Sequence, residues 1–134
     1  MAKEIFFALY AEIPFDVIYH LHKDLKEDNV LWAATGGSGI LKLKLDIVNR
    51  SIEVQEHLTT IDGLSNNMTY AVYEDQQQNL WMSSDVGITR YNKVSTQCKT
   101  YTTQDGLPFN EFNRTSHHQA ADGRLFFGTM NGVA

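Results

Sequence analysis

The 134-residue chain has one cysteine, Cys98, and two prolines, Pro14 and Pro108. A single thiol excludes a disulfide framework within the chain and any cysteine-rich zinc site. It leaves the compartment open, because a secreted chain needs no disulfide. Basic residues are also scarce: 11 Lys and Arg stand against 16 Asp and Glu, for a net charge of −5. Without a basic face there is no footing for a phosphate backbone, and nucleic acid is not expected as a partner. Long apolar runs are missing too. The most apolar stretch, residues 5–11, is held between charged residues and falls far short of the roughly 20 residues that span a bilayer. It also lacks the form of a signal peptide, so no membrane contact is expected from this segment. What remains, 43% hydrophobic and 20% charged residues, is the composition of a folded domain.

Internal repeats organise the chain, and such repeats dictate a fold before local structure does. Asp62-Gly63-Leu64-Ser65-Asn66-Asn67 recurs 43 residues on as Asp105-Gly106-Leu107-Pro108-Phe109-Asn110. Leu31-Trp32, Leu80-Trp81 and Leu125-Phe126 make a second series. Gly39-Ile40, Gly87-Ile88 and Gly132-Val133 make a third. A degenerate copy of the first series is Ile13-Pro14-Phe15-Asp16.

The middle copy shows what one repeat is. Residues 68–73 are rich in β-formers, 74–79 are a polar break, and 80–82 start a return strand. Asp85-Val86-Gly87 is a turn, 88–91 alternate, and 98–102 supply a fourth strand. Four short strands joined by hairpin turns are one propeller blade. The first copy fills the same slots with 17–22, 31–34, 40–43 and 52–57, and Asp28-Asn29 and Asp122-Gly123 are good turn pairs. The predicted fold is therefore all-β: β-propeller blades, each a four-stranded antiparallel sheet, forming a fragment of a larger propeller. Residues 1–16 are expected to carry the last strand of a preceding blade, as residues 5–10. Residues 17–67 and 68–110 are expected to be blades, and 111–134 a partial blade. Two blades and two ends do not close a ring. Open edges then favour self-association, with leader and tail completing a blade between chains.

Gly36, Gly37, Gly39, Gly87 and Gly132 fall where the chain reverses, a position for positive φ. Trp32, Trp81 and Phe126 are expected to fill the space between adjacent sheets, and loss of Trp81 to cost about 3–5 kcal/mol. Asn67 and Asn110, with Asp16 in the weaker copy, are expected to bond backbone groups between blades.

Candidate chemistry is sparse. His20 and His22 share a strand face at a spacing that suits a metal; without a third ligand they read as face or interface residues. His117 and His118 point to opposite faces of an extended segment. Asp62, Asp105, Glu74, Asp75 and Asp85 include the residue types of a glycosidase pair, yet each falls at a turn or repeat landmark, where acids cap loops. No nucleophile elbow, phosphate loop or H-E-x-x-H occurs. No catalytic, metal or cofactor residue is assigned, and no cofactor is expected. Cys98 is expected to pack. Ligand contacts are sought among blade-end residues such as Asp85, Arg90 and Asn131, with no defined site.

Gly63-Leu64-Ser65-Asn66-Asn67, Tyr73-Glu74-Asp75, Leu80-Trp81 and Gly87-Ile88-Thr89-Arg90-Tyr91 together resemble the two-component regulator propeller repeat. Asp105 to Asn113, then Asp122 to Gly128 and Asn131-Gly132-Val133, look like that family's last repeats. The first copy departs from it, with Asp28-Asn29-Val30 at the glycine turn and Ala33-Ala34 for isoleucine-glycine. The resemblance implies a periplasmic sensor region of a bacterial inner-membrane receptor. Its output, a hybrid histidine kinase or a cyclase, lies outside these residues, and its ligand is an oligosaccharide or other small molecule. A protein-interaction scaffold and a carbohydrate-cleaving propeller enzyme are the alternatives.

Overall fold

The computed structural model describes residues 17–134. The expected strand at 5–10 and the Ile13–Asp16 copy lie outside the described residues. The first sheet is an antiparallel meander of β1 (Ile18–Lys23), β2 (Val30–Thr35), β3 (Ile40–Asp46) and β4 (Ser51–Leu58). The second repeats it with β5 (Thr69–Glu74), β6 (Asn79–Ser84), β7 (Ile88–Asn92) and β8 (Cys98–Tyr101). The third has β9 (Phe112–Gln119), β10 (Leu125–Thr129) and the short β11 (Gly132–Val133). β1 packs beside β5, and β5 beside β9. The first strand of each sheet is thus its inner strand, and the fold is all-β propeller architecture.

The connections between sheets are built twice from the same parts. Thr59 and Asp62 form a reciprocal capping box around a 3₁₀ turn at Thr60–Asp62, and Thr102 and Asp105 do the same around Thr103–Asp105. The T-x-x-D spacing makes such a box, because side chain and backbone each satisfy the other's free N–H. Asn67 Oδ1 accepts from Thr60 N at 2.9 Å, and Asn110 Oδ1 accepts from Thr103 N at 2.8 Å. The backbone carbonyls of the same two asparagines accept from Gly39 N and Gly87 N, both at 2.7 Å. Each asparagine therefore ties an inter-sheet crossing to the reversal of the preceding sheet. Gly39 and Gly87 have φ of 70° and 77°, and a Cβ there would lie 2.0 Å from Leu58 O and 2.1 Å from Tyr101 O. No other residue fits such a site.

Two cores lie between the sheets. One joins Trp32, Ala34 and Ile40 of the first sheet to Val72, Leu80, Met82 and Tyr91 of the second. The other joins Ala71, Tyr73 and Ile88 to Phe112 and Phe127 of the third. A further cluster around Ala33, Leu41 and Leu43 covers the opposite flank of the first sheet. The three repeated aromatic positions are not equally buried, contrary to expectation. Trp32 is 1% exposed, Trp81 is half-buried, and Phe126 is 38% exposed. The two indoles hold equivalent places all the same, each donating to an aspartate at the preceding hairpin: Trp32 Nε1 to Asp24 and Trp81 Nε1 to Asp75, both at 2.8 Å. What differs is the cover each flank receives. Cys98 packs against the first core, and burial pushes its thiol up.

Candidate functional site

The inner strands carry an unusual set of side chains, and irregular pairing aims them. Between β1 and β2 the register slips at Tyr19, and between β5 and β6 it slips at the equivalent Tyr70. In β9 the residues between Phe112 and His117 bulge opposite Gly128, where a Cβ would meet Ser116 Oγ at 2.2 Å. Bulges bend a strand and redirect the residue they carry. Here they gather Tyr19, Tyr70 and Arg114. The two rings lie 5.7 Å apart, tilted by 53°, and the Arg114 guanidinium carbon stands 5.4 Å from the Tyr19 centroid. Gly36 leaves room for the Tyr19 ring, which a Cβ there would meet at 3.1 Å. Tyr70 donates its hydroxyl to Asp85 Oδ1 at 2.8 Å, and burial together with that carboxylate pushes the phenol up to about 12. Arg114 is exposed and pairs with no carboxylate among the described residues.

Deeper along the same strands sit His20, His22, Tyr73 and His117. The rings of His20 and His117 are 4.5 Å apart, and Tyr73 lies 4.7 Å from His20. Tyr73 OH bonds His117 Nδ1 at 2.7 Å, and His20 Nδ1 accepts from Val72 N at 3.2 Å. Burial, then the neighbouring His117 and His22, brings His20 down to about 4; burial also lowers His22 and His117. The sequence placed His20 and His22 on one face, but gave no sign that His117 joins them from a strand almost a hundred residues away. Among the described residues, no group of three or more His, Cys, Asp or Glu side chains is arranged to hold a metal.

A second polar cluster locks the first two sheets together. Lys93 Nζ pairs with Asp24 Oδ2 at 2.8 Å and with Glu74 Oε2 at 2.6 Å. Leu25 N donates to Glu74 Oε1 at 2.9 Å. Asp24 and Glu74 are 3% and 1% exposed. Burial alone would raise the Asp24 carboxyl. The donors Glu27 N, Lys93, Trp32 and Lys26 N outweigh it and hold the group well below the usual carboxylate range. Lys93 is raised, since its two carboxylates outweigh its burial. Beside the cluster a groove of about 210 Å³ runs between the sheets, lined by Trp32, Tyr91, Lys42 and Glu56 among others.

The expected acids are engaged in structure. Asp62 and Asp105 cap 3₁₀ turns, Asp75 caps a hairpin and holds Trp81, and Glu74 lies in the buried ion cluster. The two carboxylates the fold does bring together, Asp24 and Glu74, have a lysine between them and almost no exposure, so they make no hydrolytic pair. Asp85 and Asn131 sit at blade-end turns as expected, with Asn131 Nδ2 donating to Pro108 O at 3.3 Å. Arg90 does not. It lies within β7, its guanidinium 5.8 Å from the Trp81 centroid and 5.9 Å from that of Tyr101. Tyr19, Tyr70 and Arg114 escaped sequence reading. The tyrosines hold equivalent slots in the first two copies, a signal that was available.

Sheets of this kind, meandering outward from adjacent inner strands, define a β-propeller. Residues 63–85 match the family described as two component regulator propeller. Over 72 residues, 54% of its length, the chain is 35% identical to "Histidine kinase P4" of Formosa agariphila, of which it spans 5%. In fold it is similar to the extracellular domain assigned to the hybrid two component system BT3049 from B. thetaiotaomicron. That similarity has a TM-score of 0.73 at 25% identity and covers 93% of this chain and 16% of that one. The corresponding domain of BT4673 from the same organism gives a TM-score of 0.70 at 20% identity, covering 87% and 16%. Among the described residues no helix is long and apolar enough to cross a membrane.

Proposed function

We propose that the chain is a segment of the periplasmic propeller of a bacterial two-component sensor. In this reading it helps to hold a small ligand, an oligosaccharide in the first instance, and its state is relayed to a kinase outside these residues. The observation that carries the reading is the convergence of Tyr19, Tyr70 and Arg114 from three separate sheets. Half-buried tyrosine rings offer an apolar face to a sugar, and an exposed guanidinium offers a fork of donors to its oxygens or to an acidic substituent. Because each residue belongs to a different sheet, a ligand touching all three prefers one arrangement of the sheets. That difference in affinity is the only means by which a ligand shifts such an equilibrium.

Calorimetry of the receptor's complete extracellular region with neutral and acidic oligosaccharide pools tests this. Heat of binding is expected, with Arg114→Gln weakening affinity about 10- to 100-fold, the loss of charged hydrogen bonds. Binding untouched by Arg114→Gln would remove the inner-strand mouth as the site. No heat from any pool would favour a protein-interaction scaffold, and turnover of the sugars would favour an enzyme.

A further inference from the structure

We propose that His20, His22 and His117 form an acid-operated seam, which holds the three inner strands together at neutral pH and loosens in mild acid. The part of this that concerns the ligand mouth rests on the reading just given, because Tyr19 and Arg114 ride on the same strands. The seam itself stands on its own geometry.

Val72 N–H can donate to His20 Nδ1 only while that nitrogen keeps its lone pair. The His20 proton is then on Nε2. A second proton, on Nδ1, removes the acceptor, strands the Val72 amide between β1 and β5, and sets a cation 4.5 Å from the His117 ring. At His117, Tyr73 OH bonds Nδ1, and burial raises the phenol, which therefore keeps its proton. Protonating His117 Nδ1 forces that bond to reverse its donor and acceptor.

No carboxylate among the described residues offsets the new charge at His20 or His117, and at His22 burial outweighs the two that face it. β5 presents the neutral Tyr73, and β9 presents Arg114, three positions from His117, and the neutral Gln119, which donates to Glu74 O at 3.3 Å. The carboxylates Glu74 and Asp24 bear on His22, as does the Lys93 ammonium that opposes them. His22 Nε2 is buried with no hydrogen-bond partner among the described residues.

The direction of the effect follows from linkage. Separated strands take up protons on histidine near pH 6.5, whereas the packed seam resists, with His20 near 4. The seam is at full strength above about pH 6.5 and weakens progressively as pH falls toward 4, because the separated state binds more protons there. Only the upper part of this range falls within the physiological switching range of histidine.

Amide exchange at Val72 in the 134-residue chain is the direct test. Its protection, corrected for the intrinsic rate, is expected to fall roughly tenfold or more between pH 7.5 and 5.0, the equivalent of one unit of proton linkage. In His20→Gln the acidic loss should shrink to what His22 and His117 contribute, both of which burial also lowers. Should that variant fail to fold, imidazole NMR titration of the unaltered chain decides: a His20 midpoint near 4 supports the seam. A His20 midpoint of about 6.5, with Val72 protection constant across the range, overturns it. Binding heat for the oligosaccharide pools, measured at both pH values, separates the two claims. Heat that is lost at pH 5.0 and restored by His20→Gln extends the switch to the mouth. Heat that is unchanged while Val72 loses protection overturns the extension to the mouth and keeps the seam.

Discussion

Replacing Lys93 by methionine is expected to cost the chain about 3–5 kcal/mol, because it leaves two buried carboxylates without their shared cation. Asp24 and Glu74 approach the same ammonium at 2.8 and 2.6 Å, from a turn of the first sheet and an inner strand of the second. Asp24 keeps donors from Lys26 N, Glu27 N and Trp32. Glu74, 1% exposed, keeps only Leu25 N among the described residues and bears most of the loss. The intact cluster need not be strongly stabilising, since taking three ions out of water offsets much of their attraction. The prediction is therefore asymmetric. Lys93→Met alone falls hard, whereas Lys93→Met combined with Asp24→Asn and Glu74→Gln recovers most of the stability. Urea unfolding of the single and triple variants at pH 7 checks this. Equal losses in both would mean that the aliphatic stem of Lys93, and not its charge, holds the sheets together.

Acid should act on the unaltered chain in the same direction as on its histidines, but lower. The Asp24 carboxyl is depressed in the folded chain, so its contribution is present above its unfolded value, near 4, and disappears as pH falls below that. The seam titrates first, between about 6.5 and 4, and the inter-sheet ion cluster afterwards. Two stages of acid loosening have two separate causes, and only the first should shrink in His20→Gln.

The strands, the glycine reversals and the Asn67 and Asn110 bonds were legible because each recurs in register, so one physical demand is written two or three times. A positive φ beside the Leu58 or Tyr101 carbonyl admits glycine alone, and the demand shows as Gly39 and Gly87. The capping boxes were equally visible as T-T-x-D-G-L at 59–64 and 102–107, and describe the crossings better than a plain loop does. Nothing comparable announces the polar clusters. Lys93 and Asp24 are 69 residues apart, and Tyr73 and His117 are 44 apart. Asp24 is matched in the next copy by Asp75, but that carboxylate pairs with no lysine among the described residues, so the cluster as a whole does not repeat. Such contacts depend on how neighbouring sheets lean on one another, a property of packing across the interface and not of period within a strand. Arg90 illustrates the converse. Its place in the repeat was correctly read as following Gly87, yet two residues of β7 are enough to carry it from the blade end to the flank over Trp81.

Loss of the Trp32 side chain should be as damaging as that of Lys93, and the repeat makes the result diagnostic. Trp32→Ala removes a ring that is 1% exposed in the first inter-sheet core, opens a cavity against Val72, Leu80 and Met82, and takes from Asp24 its indole donor. The expected cost is about 3–5 kcal/mol, as for other large-to-small changes at buried aromatics. Trp32→Phe keeps much of the volume and loses the N–H, and should cost about 1–2 kcal/mol. The same truncation at Trp81 meets a half-buried ring, stacked on Tyr101 at 5.8 Å and flanked by Arg90. There about 1–3 kcal/mol is expected, in proportion to the apolar area withdrawn from burial. Phe126, at 38% exposure, should lose under about 1 kcal/mol. A falling series at three equivalent positions follows only if each ring is buried by the sheet next to it. Equal losses at all three in urea unfolding would show instead that every ring is held within its own sheet, and the stacking of sheets would no longer be what stabilises the chain.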